Sequence, residues 1–143
     1  MLDPEIIDSR LKKLERCVQK LKLAATVNKE NFLVDEDLQD RVERNFHIAI
    51  ECCLDIGNHI IAALGFRTPQ SYGDVLRVLG EEKILPKEFS EALAQMVGFR
   101  NILVHDYLEI DLDKVYKNLQ QLGDFDRFAK HISEFMEKEI KEQ

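Results

Sequence analysis

The sequence predicts an all-α protein, a largely antiparallel bundle of four main helices with one short extra helix. Three observations carry this prediction. Glycine (6 of 143 residues) and proline (3) are scarce, so little interrupts the helix-forming residues. Apolar residues recur at steps of three and four over long stretches, the spacing of one helix face. No segment alternates apolar and polar residues as a half-buried strand would.

Asp3-Pro4 starts the first helix, with Asp3 as N-cap and proline at the first helical position. Ile7, Leu11, Leu14, Val18, Leu21 and Ala25 form its stripe. Residues 28–35, NKENFLVD, read as a loop that tucks Phe32 and Leu33 onto the core. The second helix runs from about Glu36 to Leu64, with a seam from Leu38 through Val42, Phe46, Ala49, Cys53, Ile56 and Ile60 to Ala63. Gly65 closes it. Ser71 and Asp74 form a capping box for a short third helix through Leu79. Pro86 opens the fourth helix, whose stripe begins Phe89, Leu93, Met96, Val97. Asp111 or Asp113 starts the last helix, which Gly123 weakens and kinks. Leu112, Val115, Leu119, Leu122, Ala129, Ile132 and Met136 face inward along it.

A chain of 143 residues fits a single domain spanning 1–143. With 45% apolar and 33% charged residues it is a globular composition, with no apolar run expected to span a bilayer and no basic leader. Cys17, Cys52 and Cys53 are an odd set without metal-ligand spacing, which points to reduced thiols in a cytoplasm. The four histidines are scattered, and no zinc motif is present. The formal net charge of −7 argues against a broad electrostatic nucleic-acid surface. It leaves room for an enzyme with a narrow, locally positive cleft. The basic run Lys12, Lys13, Arg16, Lys20, Lys22 reads as a solvated face. Arg41 and Arg44, next to Asp40 and Glu43, read as a solvated or interface face rather than an RNA patch. Asn58 and His59 are polar intrusions beside the seam, more in keeping with a local hydrogen bond than with a cleft.

The segment GFRNILVHDY, residues 98–107, is the one stretch whose polar groups packing does not explain. Extending the fourth stripe at about 100° per residue places Arg100 and Tyr107 within about 20° of the core direction set by Leu93. An unpaired guanidinium buried there costs several kcal/mol. Arg100 therefore either pairs with an acid, Glu51 or Asp55 being the candidates, or lines a cleft. Asn101 and His105 are an i, i+4 pair on the neighbouring face. Arg100 and His105 diverge by about 140° on a regular helix. They share one site only if the helix ends or bends, or if a second copy of the chain contributes. His105 could otherwise terminate a helix, and Tyr107 could be a core aromatic with a wetted hydroxyl. The chemistry open to such a set is narrow. An arginine fork suits a phosphate, an imidazole moves protons near neutrality, and an asparagine can orient either. Without metal ligands, the combination suits RNA cleavage by attack of the 2′-hydroxyl on the adjacent phosphate.

Arg100, Asn101, His105 and Tyr107 together resemble the R-x4-H-x-Y signature of the HEPN superfamily, in its HepT-like toxin branch. The flanking segments LQDRVERNFHIAIECCLDIGNHII (38–61) and ILPKEFSEALAQMVGFRNILVHDY (84–107) resemble it as well, so the likeness spans nearly the whole chain. The resemblance implies a homodimeric, metal-independent endoribonuclease with Arg100 and His105 as catalytic residues, supported by Asn101 and Asp106. It implies no cofactor for the RNase itself. It also implies a partner, an MntA-like minimal nucleotidyltransferase antitoxin that uses ATP and magnesium to attach AMP to Tyr107. The alternative from the same superfamily is a non-catalytic binding module that partners a nucleotidyltransferase, because fold alone does not settle activity.

Overall fold

In the computed structural model, Asp3 caps α1 (Pro4–Ala24) by accepting a hydrogen bond from the Glu5 amide, with Pro4 at the first helical position. The structure describes residues 2–105 and 110–142, and along residues 100–105 it describes the helix backbone. Seven helices lie in the described residues: α1, α2 (Lys29–Val34), α3 (Glu36–Leu64), α4 (Tyr72–Glu81), α5 (Lys87–His105), α6 (Leu112–Leu119) and α7 (Gly123–Glu142). The chain is all-α, with α1, α3, α5 and the α6–α7 pair as the main members of the bundle.

α3 is the central helix. Its seam from Leu38 to Ile60 is buried, and it packs on α1 on one side and on α4 and α5 on the other. Phe46 sits at the middle of this core, edge-on to Phe99 of α5 at 5.3 Å and tilted against Phe125 of α7 at 6.4 Å. Burial of these side chains supplies the main driving force, at about 1.5–3 kcal/mol for each large one. By length and composition α3 could cross a bilayer, which corrects the expectation that no segment could. Its apolar seam is instead taken up by the other helices. Gly65 closes α3 at φ +70, the left-handed cap that glycine adopts without a Cβ penalty.

Two local expectations need correction. Residues 28–35 are not a loop: Asn28 caps a six-residue helix by accepting from the Asn31 amide. That turn carries Phe32 to full burial against Tyr116, while Leu33 stays exposed. The last helix is not one kinked rod either. α6 ends at Leu119, and α7 restarts at Gly123 after a turn anchored by buried Leu122. The turn has its own hydrogen bonds, Gln121 N–H to Asn118 O and Phe125 N–H to Leu122 O, so the break is a built connection.

α4 and α5 form a tight hairpin. Ser71 caps α4 through the Asp74 amide. The Asp74 carboxylate accepts from the Gln70 amide and from both terminal nitrogens of Arg67, at 2.7–2.8 Å. Gly80 lets α4 approach α5 so closely that a Cβ there would overlap the Ser90 side chain. The α4–α5 pair holds the helix that carries the polar segment.

Candidate functional site

α5 begins after Pro86 with Glu88 in its first turn, where a carboxylate complements the helix dipole. Phe89, Leu93, Val97 and Phe99 are buried and fix its rotation. The helix is continuous to His105. Arg100 therefore follows Leu93 by two turns on the core-directed side. Ala94, Gly98, Asn101 and His105 follow one another at steps of four, three and four along a second stripe. Gly98 is exposed, and a Cβ built on it meets nothing within 4 Å, so this stripe is open at that level. A shallow hollow of about 660 Å³ lies against it, lined among others by Asn58 of α3, Tyr72 and Gly73 of α4, and Ala94, Val97 and Gly98 of α5.

The uninterrupted helix decides one question left open by spacing. α5 runs through both residues, so on regular helix geometry the backbone positions of Arg100 and His105 stay about 140° apart around it. Arg100, Asn101 and His105 thus occupy the last two turns of one helix but not one face of it. Asp106 and Tyr107 lie outside the described residues.

The surroundings settle several subsidiary readings. Asp55, one candidate counter-ion for Arg100, faces Arg10 of α1 at 3.4 Å. His59 is not a cleft residue: its Nε2 accepts the Asp3 amide at 3.0 Å and ties the N-terminus to α3. The Tyr116 hydroxyl donates to Val27 O at 2.8 Å and its ring packs on Phe32, so it is built into the α2–α6 contact. Burial raises all three thiols, Cys52 to about 11, so Cys17, Cys52 and Cys53 are protonated packing groups near neutrality. Among the described residues no group of three or more His, Cys, Asp or Glu gathers as a metal site would.

Sequence reasoning missed one constellation. Lys13, Arg16 and Lys20 of α1 and Arg41 and Arg44 of α3 line a single groove of about 590 Å³ between these two helices. Taken separately, the α1 run reads as a solvated face, and Arg41 and Arg44 read as a solvated or interface face rather than an RNA patch. Their spacings, i, i+3, i+7 on one helix and i, i+3 on the other, were visible. Their meeting across an antiparallel pair was not.

Comparison with known proteins identifies the family. The family model described as Ribonuclease HepT-like matches residues 7–132. An mRNA nuclease HepT from Shewanella oneidensis is 35% identical over 125 residues, covering 87% of this chain and 93% of the relative. A tRNA nuclease HepT from Aphanizomenon flos-aquae is 26% identical over 136 residues, covering 94% and 92%. Among solved structures, a tri-AMPylated Shewanella oneidensis HEPN toxin in complex with MNT antitoxin superposes with a TM-score of 0.84 at 34% identity. That match covers 92% of this chain and 98% of the toxin. An all-α bundle whose α5 carries Arg100, Asn101 and His105, matched by the family model from Ile7 to Ile132, belongs to the HepT-like ribonuclease family.

Proposed function

We propose that this chain is a cytoplasmic, metal-independent endoribonuclease toxin that works as a homodimer. The observation that carries this reading is the continuous α5, which keeps Arg100 and His105 on different sides of one helix. A two-fold axis near the end of α5 would set the arginine of one chain across from the histidine of the other and make one composite cleft. There the 2′-hydroxyl of the RNA attacks the adjacent phosphorus and the P–O5′ bond breaks. The products are a 2′,3′-cyclic phosphate and a 5′-hydroxyl. His105 moves the proton between the attacking and leaving oxygens, and Arg100 stabilises the charge that builds on the phosphoryl oxygens. Asn101, one turn before His105 on the same stripe, orients the imidazole, and Asp106 supports it.

Control lies with a cognate MntA-like nucleotidyltransferase that takes AMP from ATP, with magnesium, and attaches it to Tyr107. The tri-AMPylated state of the Shewanella toxin supports this reading. Each AMP brings a phosphodiester to the end of α5, where it competes with the RNA phosphate for Arg100. Of the other tyrosines, Tyr116 has its hydroxyl engaged with Val27 O and is the poorer acceptor.

The test uses the purified, unmodified chain. It should run as a dimer, cleave RNA in EDTA and leave cyclic-phosphate or 3′-phosphate ends. Co-expression with the partner should add whole AMP units to the Tyr107 peptide, and Tyr107→Phe should keep RNase activity yet resist neutralisation. A clean monomer without RNase activity would return the chain to the class of non-catalytic binding modules.

A further inference from the structure

The α1–α3 groove is unlike the rest of this acidic protein. Five exposed cations line it, Lys13, Arg16 and Lys20 on one rim and Arg41 and Arg44 on the other, and no acidic residue does. None of the five forms a salt bridge among the described residues. Their sequence neighbours do: Lys12 pairs with Asp8 and Lys22 with Asp126. The floor is aliphatic, formed by Leu21, Ala24, Leu38, Val42 and Ile48 over the buried Cys17. Lys13, Lys20, Arg16 and Arg44 all act to lower the Cys17 thiol pKa, though its burial outweighs them, so the four charges converge on one locus.

We infer that this groove is a second RNA-contacting surface, a seat for the sugar–phosphate backbone of single-stranded substrate away from the Arg100/His105 motif. The inference rests on the ribonuclease reading above. A chain of net charge −7 that handles RNA must concentrate its positive potential locally, and this groove does so without interleaved acids. The cations of α1 span two helical turns, about 10 Å, so they present a row to a polyanion. Position favours the same occupant. The α3 residues that line the groove flank Phe46, whose other side meets Phe99, the residue before Arg100. Through the Phe46–Phe99 contact, the α3 wall of the groove is packed directly on the helix that carries the motif. No aromatic side chain lines the groove. Contact is therefore to phosphates rather than stacked bases, and base preference is not expected from it.

The test is fluorescence anisotropy with a labelled single-stranded RNA on His105→Ala protein, so that cleavage does not interfere. Adding K13A/R16A/K20A should weaken binding on the order of tenfold and flatten the slope of log affinity against log salt by about two, at about 0.7 per cation. Homopolymers of U and A should respond alike. With His105 intact, the triple variant should show a raised KM for long RNA and unchanged cleavage of a trinucleotide. Arg41→Gln with Arg44→Gln tests the opposite rim and should give the same trend at an unchanged melting temperature. Unchanged RNA affinity and salt slope in both sets would overturn the assignment. Retained RNA binding with lost capture of the nucleotidyltransferase would give the groove to a protein partner and overturn it equally. If the wild-type chain binds RNA through the groove but cleaves none, the groove stands and the ribonuclease reading falls.

Discussion

Two sets of arginines on opposite sides of α3 behave in opposite ways. On the α4–α5 side, Arg67 holds Asp74 and Glu81 in four hydrogen bonds of 2.7–2.8 Å, and Arg77 holds Glu91 in two. On the α1 side, Arg41 and Arg44 share a groove with three more cations and no salt bridge. The first set closes a hairpin. Arg67 ties the loop after α3 to both ends of α4, and Arg77 ties α4 to α5. The second set closes nothing, so its charge is left available to a ligand. Arg10 pairs with Asp55 between α1 and α3, but among the described residues Arg41 and Arg44 do not pair, so these two sets contrast a side that holds α5 with a groove that can meet a polyanion.

Arg100 is the residue that tests this division most severely. If it belongs with the paired set, Arg100→Ala should lower the melting temperature. If it stabilises a transition state, the same change should cut RNA cleavage at least about 100-fold with little change in melting. The second outcome is expected, and His105→Ala should match it as loss of the proton-transfer group. The readouts are single-turnover cleavage and thermal melting on the same preparations. A variant that melts early and cleaves normally would move Arg100 to the structural set.

The paired side should be the less tolerant of change. Gly80→Ala puts a methyl group into the Ser90 side chain, whose hydroxyl donates to Lys87 O at 2.7 Å. The hairpin must then open or Ser90 must leave its bond, and overpacking of this kind costs about 1–3 kcal/mol. Urea melts of this variant beside wild type measure it. A neutral result would mean that α4 and α5 slide apart freely, and that the ion pairs alone define the hairpin.

Much of this was legible beforehand. The stripes of α1, α3 and α5 followed from periodicity, and the caps at Asp3, Ser71 and Gly65 from residue type. Asp74 was legible only in part. As the second member of a capping box it was expected to serve its own helix, whereas it accepts from Arg67 and Gln70 outside that helix. α2 and the α6–α7 break were missed because short helices carry too few residues to show a period, and because Phe32 and Leu122 hold them by tertiary burial. At the site, residue type and order nominate the motif residues, and the helix places Arg100, Asn101 and His105 along its last turns. The groove was not, because the pairing of Lys13, Arg16 and Lys20 with Arg41 and Arg44 depends on the register of two helices.

Asp74 gives the paired side a pH signature. Hydrogen bonds from Arg67, then from the Gln70 amide, lower its pKa from the ordinary 3.8 to about 2. A carboxylate lowered on folding contributes stability that is fully present above about pH 4 and lost as pH falls toward 2. Asp74→Asn should cost about 1–2 kcal/mol at neutral pH, on the scale of charge-assisted hydrogen bonds. The gap to wild type should narrow between pH 4 and pH 2. Urea melts along that pH series would show it, and a gap that stays constant would mean the bonds at Asp74 survive protonation.

The smallest expected effect is the most informative about the unpaired side. Lys13→Ala, Arg16→Ala and Lys20→Ala each remove an exposed side chain with no ionic partner among the described residues. Exposed substitutions of this kind usually change stability by less than about 0.5 kcal/mol. Five like charges around one groove also repel one another, so the sign should lean toward stabilisation, most visibly at low salt where screening is weak. Melting the single variants and the K13A/R16A/K20A triple at low and high ionic strength separates the two contributions. A triple variant that is slightly more stable than wild type at low salt, with the advantage gone at high salt, is what a surface kept for a ligand at the expense of the fold should show. A clear loss of stability would instead mean that these cations brace α1 against α3, and the contrast with Arg67 and Arg77 would not hold.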